Sequence, residues 1–125
     1  MTKWVVSNLG RDVPMHFTAF HPDWKMMDHP HTPPDTLVRA REIAIANGVY
    51  YAYVGNVYDE THSSTYCYQC GKKVIGRNWY TMTEWHLTNE GRCEFCDTQC
   101  HGVFNGPAGD WGQKRVPVRL ADFKI

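Results

Sequence analysis

An α/β unit followed by a small metal-stapled ribbon is the fold class that the sequence predicts, on three observations. Residues 2–54 read in the order helix, strand, helix, strand. A polar run at 59–64, Asp-Glu-Thr-His-Ser-Ser, interrupts the apolar grammar, and beyond it two Cys-x-x-Cys pairs stand 22 residues apart. At 125 residues the chain is one domain's worth of polypeptide, since domains cluster near roughly 100–150 residues. Its 42% hydrophobic and 14% aromatic content suffices for a core and excludes a disordered chain.

Residues 2–9 carry Trp4, Val5 and Leu9 at helical spacing, and Gly10 suits the left-handed position after a helix end, which predicts the last turns of a helix. Residues 15–20 alternate as a strand, with Met15, Phe17 and Ala19 on one face and His16, Thr18 and Phe20 on the other. A loop from His21 to His31 closes on Thr32-Pro33-Pro34-Asp35. There Thr32 can cap a helix, Pro33 fits its first position and Asp35 favours its positive end. The helix runs from about 33 to 46 with Leu37, Ala40, Ile43 and Ala44 as its buried stripe, and Asn47-Gly48 stops it. Residues 49–54, Val-Tyr-Tyr-Ala-Tyr-Val, form a nearly continuous apolar strand of the kind buried on both faces of a parallel sheet.

Two parallel strands with one crossover helix leave open edges and an uncovered sheet face, so the unit calls for flanking strands. The expectation is that Met1 falls inside a helix of a longer protein. The alternative is a small self-contained α+β domain that begins with a short helix.

In the second region, Cys67 and Cys70 of one pair and Cys93 and Cys96 of the other can converge as four thiolates on one tetrahedral zinc. Residues 73–76 and 79–83 read as the strands between them, completing a zinc ribbon. Four thiolates leave no open position for catalysis, which makes the expected zinc structural. Disulfides suit a secreted chain, and the N-terminus has no signal-peptide pattern. The competing set Cys93, Cys96 and Cys100 has the C-x2-C-x3-C spacing of a three-cysteine iron–sulfur site, but it strands Cys67 and Cys70. Ribbon modules also bind nucleic acid. Between Thr61 and Gly102, however, Lys72, Lys73, Arg77 and Arg92 face Glu84, Glu90, Glu94 and Asp97, with no excess to neutralise phosphates. Tyr66, Tyr68, Trp79, Tyr80 and Trp85 are therefore read as the core of the stapled unit.

Thirteen basic and thirteen acidic residues give no global field towards nucleic acid or acidic membrane. No stretch approaches the roughly 20 apolar residues of a membrane helix. These features predict a cytoplasmic protein without nucleic-acid or membrane partners.

Several segments together carry a resemblance: residues 14–26, Pro-Met-His-Phe-Thr-Ala-Phe-His-Pro-Asp-Trp-Lys-Met; residues 32–37, Thr-Pro-Pro-Asp-Thr-Leu; residues 53–57, Tyr-Val-Gly-Asn-Val; and Thr65-Tyr66-Cys67 with Cys70-Gly71. In this order they resemble the C-terminal part of the AmmeMemoRadiSam-system radical SAM enzymes, relatives of the pyruvate formate-lyase activating enzymes. The resemblance implies that residues 1–60 are the terminal βαβ part of a partial (β/α) barrel and that 61–125 form a zinc-ribbon-like C-terminal module. It further implies a [4Fe-4S] cluster on a C-x3-C-x2-C loop, S-adenosylmethionine on its unique iron, and reductive cleavage to a 5′-deoxyadenosyl radical that abstracts hydrogen from a protein or small-molecule substrate. No C-x3-C-x2-C occurs in this chain. The cluster is thus expected in an N-terminal remainder of the enzyme, with this chain alone inactive and contributing no catalytic residue.

By the same resemblance the barrel mouth lies beyond the strand ends. His16 and Thr18 would point inward, His21, Asp23 and Lys25 would form the loop above the cofactor, and Asn56 would sit at the next strand end. Asp97 stands where a glycine is common in the family, and His29 and His31 decorate a loop that is often proline-rich. Residues 106–112 read as a turn-rich loop and 116–120 as a final short strand. The alternative function is a free-standing zinc-ribbon adaptor that binds a protein partner.

Overall fold

Two sheets, each with its own small core, divide the structure, a computed structural model that describes residues 1–110, 112–115, 117–119 and 121. The first half contains α1 (Thr2–Asn8), β1 (Met15–Thr18), α2 (Pro34–Ala46) and β2 (Ala52–Gly55). Strands β1 and β2 pair in parallel, from Met15 opposite Ala52 to Thr18 opposite Gly55, with α2 as the crossover between them. Alternation in β1 sets its faces: Met15 and Phe17 turn towards the core, while His16 and Thr18 are exposed. Leu37 of α2 packs on Ala19 and Val54, and Ala44 on Val49 and Ala52.

The second half contains α3 (Glu60–Ser63), β3 (Thr65–Tyr66), β4 (Lys73–Asn78) and β5 (Thr81–Trp85), the three strands forming an antiparallel sheet in that order. Val74, Ile75 and Leu87 make its core together with Cys67, Cys93 and Cys100, and Trp85 and Phe104 close over it. Phe104 lies so near Gly91 that a Cβ there would stand 2.1 Å from the ring. With φ +80° as well, that position accepts only glycine. Helix α3 packs against both β2 and β4. It occupies the polar run at 59–64, and Asp59 caps it by accepting the His62 backbone N–H at 2.9 Å.

Several expectations need correction. Thr32 does not cap α2: Pro33 is the N-cap residue and Pro34 opens the helix. The Thr32 hydroxyl instead accepts the Phe20 backbone N–H at 2.9 Å, tying the end of the 21–31 loop to the strand. Ile43 lies on the solvent side of α2, and Trp4 and Leu9 of α1 are exposed as well, because this half has too little sheet to cover them. Paired strand begins at Ala52 rather than Val49, although Val49 and Tyr51 are buried. Trp79 and Tyr80 do not belong to a strand or to the core. They form the exposed turn between β4 and β5, where Trp79 adopts φ 53°. For the strand expected at 116–120, Val116 and Leu120 lie outside the described residues, and residues 117–119 carry no regular element. Trp111, within the turn-rich loop, also lies outside them.

Candidate metal centre and strand-end cleft

Each Cys-x-x-Cys pair is a tight turn with the same backbone pattern. In the first, the Cys67 carbonyl accepts the Gly71 N–H at 2.8 Å and the Cys67 N–H donates to the Lys72 carbonyl at 2.9 Å. In the second, the Cys93 carbonyl accepts the Asp97 N–H at 2.8 Å and the Cys93 N–H donates to Thr98 at 2.9 Å. Both turns need a left-handed residue after the second cysteine: Gly71 supplies φ 71° without cost, and Asp97 supplies φ 58°. Arg92 braces the second turn by donating Nη1 to the Asp97 carbonyl at 2.8 Å.

The two turns face each other. Cys67 and Cys96 sulfurs lie 3.6 Å apart and Cys70 and Cys93 sulfurs 3.8 Å apart, with all four within 4.8 Å of one another. These separations are far beyond the about 2.05 Å of a disulfide. They match the about 3.8 Å edge of a sulfur tetrahedron built on metal–sulfur bonds of about 2.3 Å. The donor set fits a metal such as zinc, with no protein position left open. Cys67 and Cys93 are buried while Cys70 and Cys96 reach the surface. Burial pushes the Cys67 thiol up to about 12 and raises that of Cys93. Hydrogen bonds from the Thr98 hydroxyl and backbone N–H bring Cys96 down to about 6. A cation among them favours all four thiolates. Cys100 lies apart from this set, buried in the ribbon core, and burial raises its thiol too.

Beyond the C-terminal ends of β1 and β2 lies a cleft of about 500 Å³. It brings together His16, Thr18 and Asn56 of the expected cofactor residues. Asn56, at φ 57°, turns the chain out of β2 and donates Nδ2 to the Ala19 carbonyl at 3.0 Å, which locks the two strand ends together. His21, Asp23 and Lys25 sit on the exposed 21–31 loop outside this lining. There the His21 ring meets His31 edge-on at 4.4 Å, Asp23 Oδ1 accepts the Trp24 N–H at 2.7 Å, and Lys25 Nζ lies 4.4 Å from the centre of the Trp24 ring.

The opposite wall consists of groups that no motif in the sequence marks as a site: Asp59 and Glu60 of the α3 cap, and Arg77 with Trp79 from the β4–β5 hairpin. Asp59 Oδ2 lies 2.6 Å from His62 Nδ1. Burial alone would raise its carboxyl, but the hydrogen bonds and charge of His62 and the charge of Arg41 hold it below the usual range. The Asp59-x-x-His62 spacing was the available signal, since such a pair reads as a capped helical turn.

No helix among the described residues is long and apolar enough to cross a membrane. The fold and site together define a mixed α/β protein carrying a four-cysteine metal-binding cluster of zinc-ribbon type. The uncharacterized protein MJ0808 of Methanocaldococcus jannaschii is 43% identical to it over 94 residues. That alignment takes in 74% of this chain but 28% of the relative, so the chain spans under a third of the relative's length. No family model and no solved structure matches the chain.

Proposed function

We propose that this chain is the C-terminal portion of a radical SAM enzyme of the activating type, with zinc on Cys67, Cys70, Cys93 and Cys96 as a structural staple. The observation that carries the reading is the cleft beyond the C-terminal ends of two parallel strands, where ligands of α/β and barrel folds bind. Strands β1 and β2 pair only with each other among the described residues, which suits the terminal strands of a partial barrel continued by earlier ones. The alignment with a much longer relative is consistent with such a continuation.

In this reading a [4Fe-4S] cluster held outside this chain would, once reduced by an external donor, provide the one-electron chemistry for cleaving S-adenosylmethionine. The residues here contribute recognition: Thr18 and Asn56 offer hydrogen-bonding groups, and His16 presents a ring beside them. Arg77 and the β4–β5 turn close the other side of the cleft, so the ribbon serves to hold that wall in place.

The isolated chain, given reductant, iron, sulfide and S-adenosylmethionine, is expected to form no 5′-deoxyadenosine, and turnover by it alone overturns the proposal. A longer natural protein that contains this segment and a C-x3-C-x2-C loop should form it after the same reconstitution. Failure there with a spectroscopically intact cluster rejects the radical SAM assignment.

A further inference from the structure

A second cavity, of about 270 Å³, lies at the N-terminal end of β2, walled by the end of α2 and by the first cysteine turn. Arg11 and Arg41 both line it, and no carboxylate does. Each guanidinium is held at its neck: Arg11 donates Nε–H to the Gly48 carbonyl at 3.0 Å and Arg41 to the Ala52 carbonyl at 2.8 Å. Arg11 also lies 4.6 Å from the centre of the Tyr50 ring, itself stacked on Tyr68 at 4.2 Å, and Arg41 lies 5.7 Å from the Tyr66 ring. These contacts fix both planes and leave the terminal amino groups without a protein acceptor among the described residues. Asp59, which feels the Arg41 charge, is engaged by His62 instead.

We infer that this cavity binds a small organic phosphate, its phosphoryl group between Arg11 and Arg41 and its apolar or flat body along Ile45 and Tyr66. Two oriented guanidiniums in a cavity that no carboxylate lines suit a dianion better than a carboxylate, which one arginine fork satisfies. A partly exposed isoleucine beside aromatic rings gives the body of the ligand an apolar surface. The volume falls just below the about 300 Å³ at which ligand pockets usually begin. It therefore admits a molecule of aryl phosphate size and excludes a dinucleotide. This site is separate from the strand-end cleft and does not depend on the radical enzyme reading.

The test uses the zinc-loaded chain and phenyl phosphate, followed by amide chemical shifts, with benzoate and inorganic phosphate as comparison probes. Saturable shifts confined to residues 48–53 and 66–68 are expected, with phenyl phosphate binding more tightly than either comparison probe. Arg41→Gln and Arg11→Gln should each weaken binding about tenfold or more, Arg41→Lys by less, and Arg39→Gln, on the same helix but outside the cavity, not at all. Shifts spread over the surface or centred on the strand-end cleft overturn the inference, as does equal affinity in the arginine variants. A further overturning result is phenyl phosphate without effect while Arg11→Gln and Arg41→Gln lower zinc retention, since the arginines would then balance the tetrathiolate charge.

Discussion

The cysteine module and the α/β unit solve the problem of a small core in different ways. The module folds its strands antiparallel through short turns, buries Val74 completely and leaves Cys67 and Cys93 only 1% exposed, so a metal-ready cluster forms part of its core. The α/β unit pairs two short parallel strands, fills its core largely with alanine and valine, and leaves Trp4, Leu9, Trp24, Met27 and Ile43 exposed. Local turns plus a metal can close a unit of this size, whereas a parallel pair depends on neighbours beyond itself. A seam joins the two halves: the Tyr51 hydroxyl accepts the His101 backbone N–H at 3.1 Å and meets His101 Nδ1 at 3.0 Å, and the Tyr53 hydroxyl meets Thr65 Oγ1 at 3.1 Å.

Removing the metal should break this contrast most severely. Structural zinc contributes on the order of 10 kcal/mol or more in zinc-folded units, so chelation should abolish amide protection in β3 to β5 while β1 and β2 change less. Elemental analysis should find about one zinc per chain on the four-thiolate geometry. Cys67→Ser should lose the metal, and Cys100→Ser should retain it. Acid should release it too, because protons compete for the thiolates. In the metal-loaded chain, faster hydrogen exchange of β1 and β2 than of β4 would agree with a unit that needs neighbouring strands. Equal protection in both halves would favour the adaptor function.

The seam is tested through Tyr51, whose phenol burial pushes up to about 12 against the lowering effect of the His101 N–H. A raised folded value means that its stabilisation is fully present below the ordinary value of about 10 and is lost as pH climbs through about 12. Tyr51→Phe should cost on the order of 1–2 kcal/mol at neutral pH by leaving the His101 N–H unpaired. Urea denaturation should show that deficit closing between about pH 10 and 12, where the tyrosine ionises in the unfolded chain but stays protonated in the folded one.

A smaller effect is expected at the link between the halves, where Asp59→Ala should cost about 1 kcal/mol by uncapping α3. The depressed Asp59 carboxyl contributes fully above the ordinary value of about 3.9, and its contribution disappears only as pH falls through the lower folded value. Denaturation should therefore show the deficit narrowing as pH falls below about 4. Smallest of all, Asp97→Gly should stabilise the metal-loaded module by a few tenths of a kcal/mol, since it relieves a left-handed residue. It gives up only the exposed ion pair of Asp97 Oδ2 with Arg92 at 3.3 Å. A measured loss would mean that this pair matters more than the backbone strain.

What could be read in advance follows from how far each feature reaches along the chain. The faces of β1, the end of α2 at Asn47-Gly48 and the two cysteine turns depend on residues within a few positions of one another, and period and turn chemistry suffice for them. An aromatic pair such as Trp79-Tyr80 reads as strand, whereas the tight reversal between β4 and β5 places both residues at its tip.

The sequence by itself determined the α/β order, the Cys67, Cys70, Cys93 and Cys96 spacing that suits one ion, and the absence of a C-x3-C-x2-C loop from this chain. Only the tertiary structure decided that Cys100 belongs to the core and not to the cluster, that Ile43 faces solvent, and that His16, Thr18 and Asn56 share a cleft with Asp59 and Arg77 while His21, Asp23 and Lys25 do not. Likewise, Arg11 and Arg41, thirty positions apart in sequence, border one cavity because the crossover helix and the first cysteine turn pack around the same end of β2. The physical reason is range: spacing along the backbone sets which way a side chain leaves its own element, and only packing between distant elements sets what it meets there.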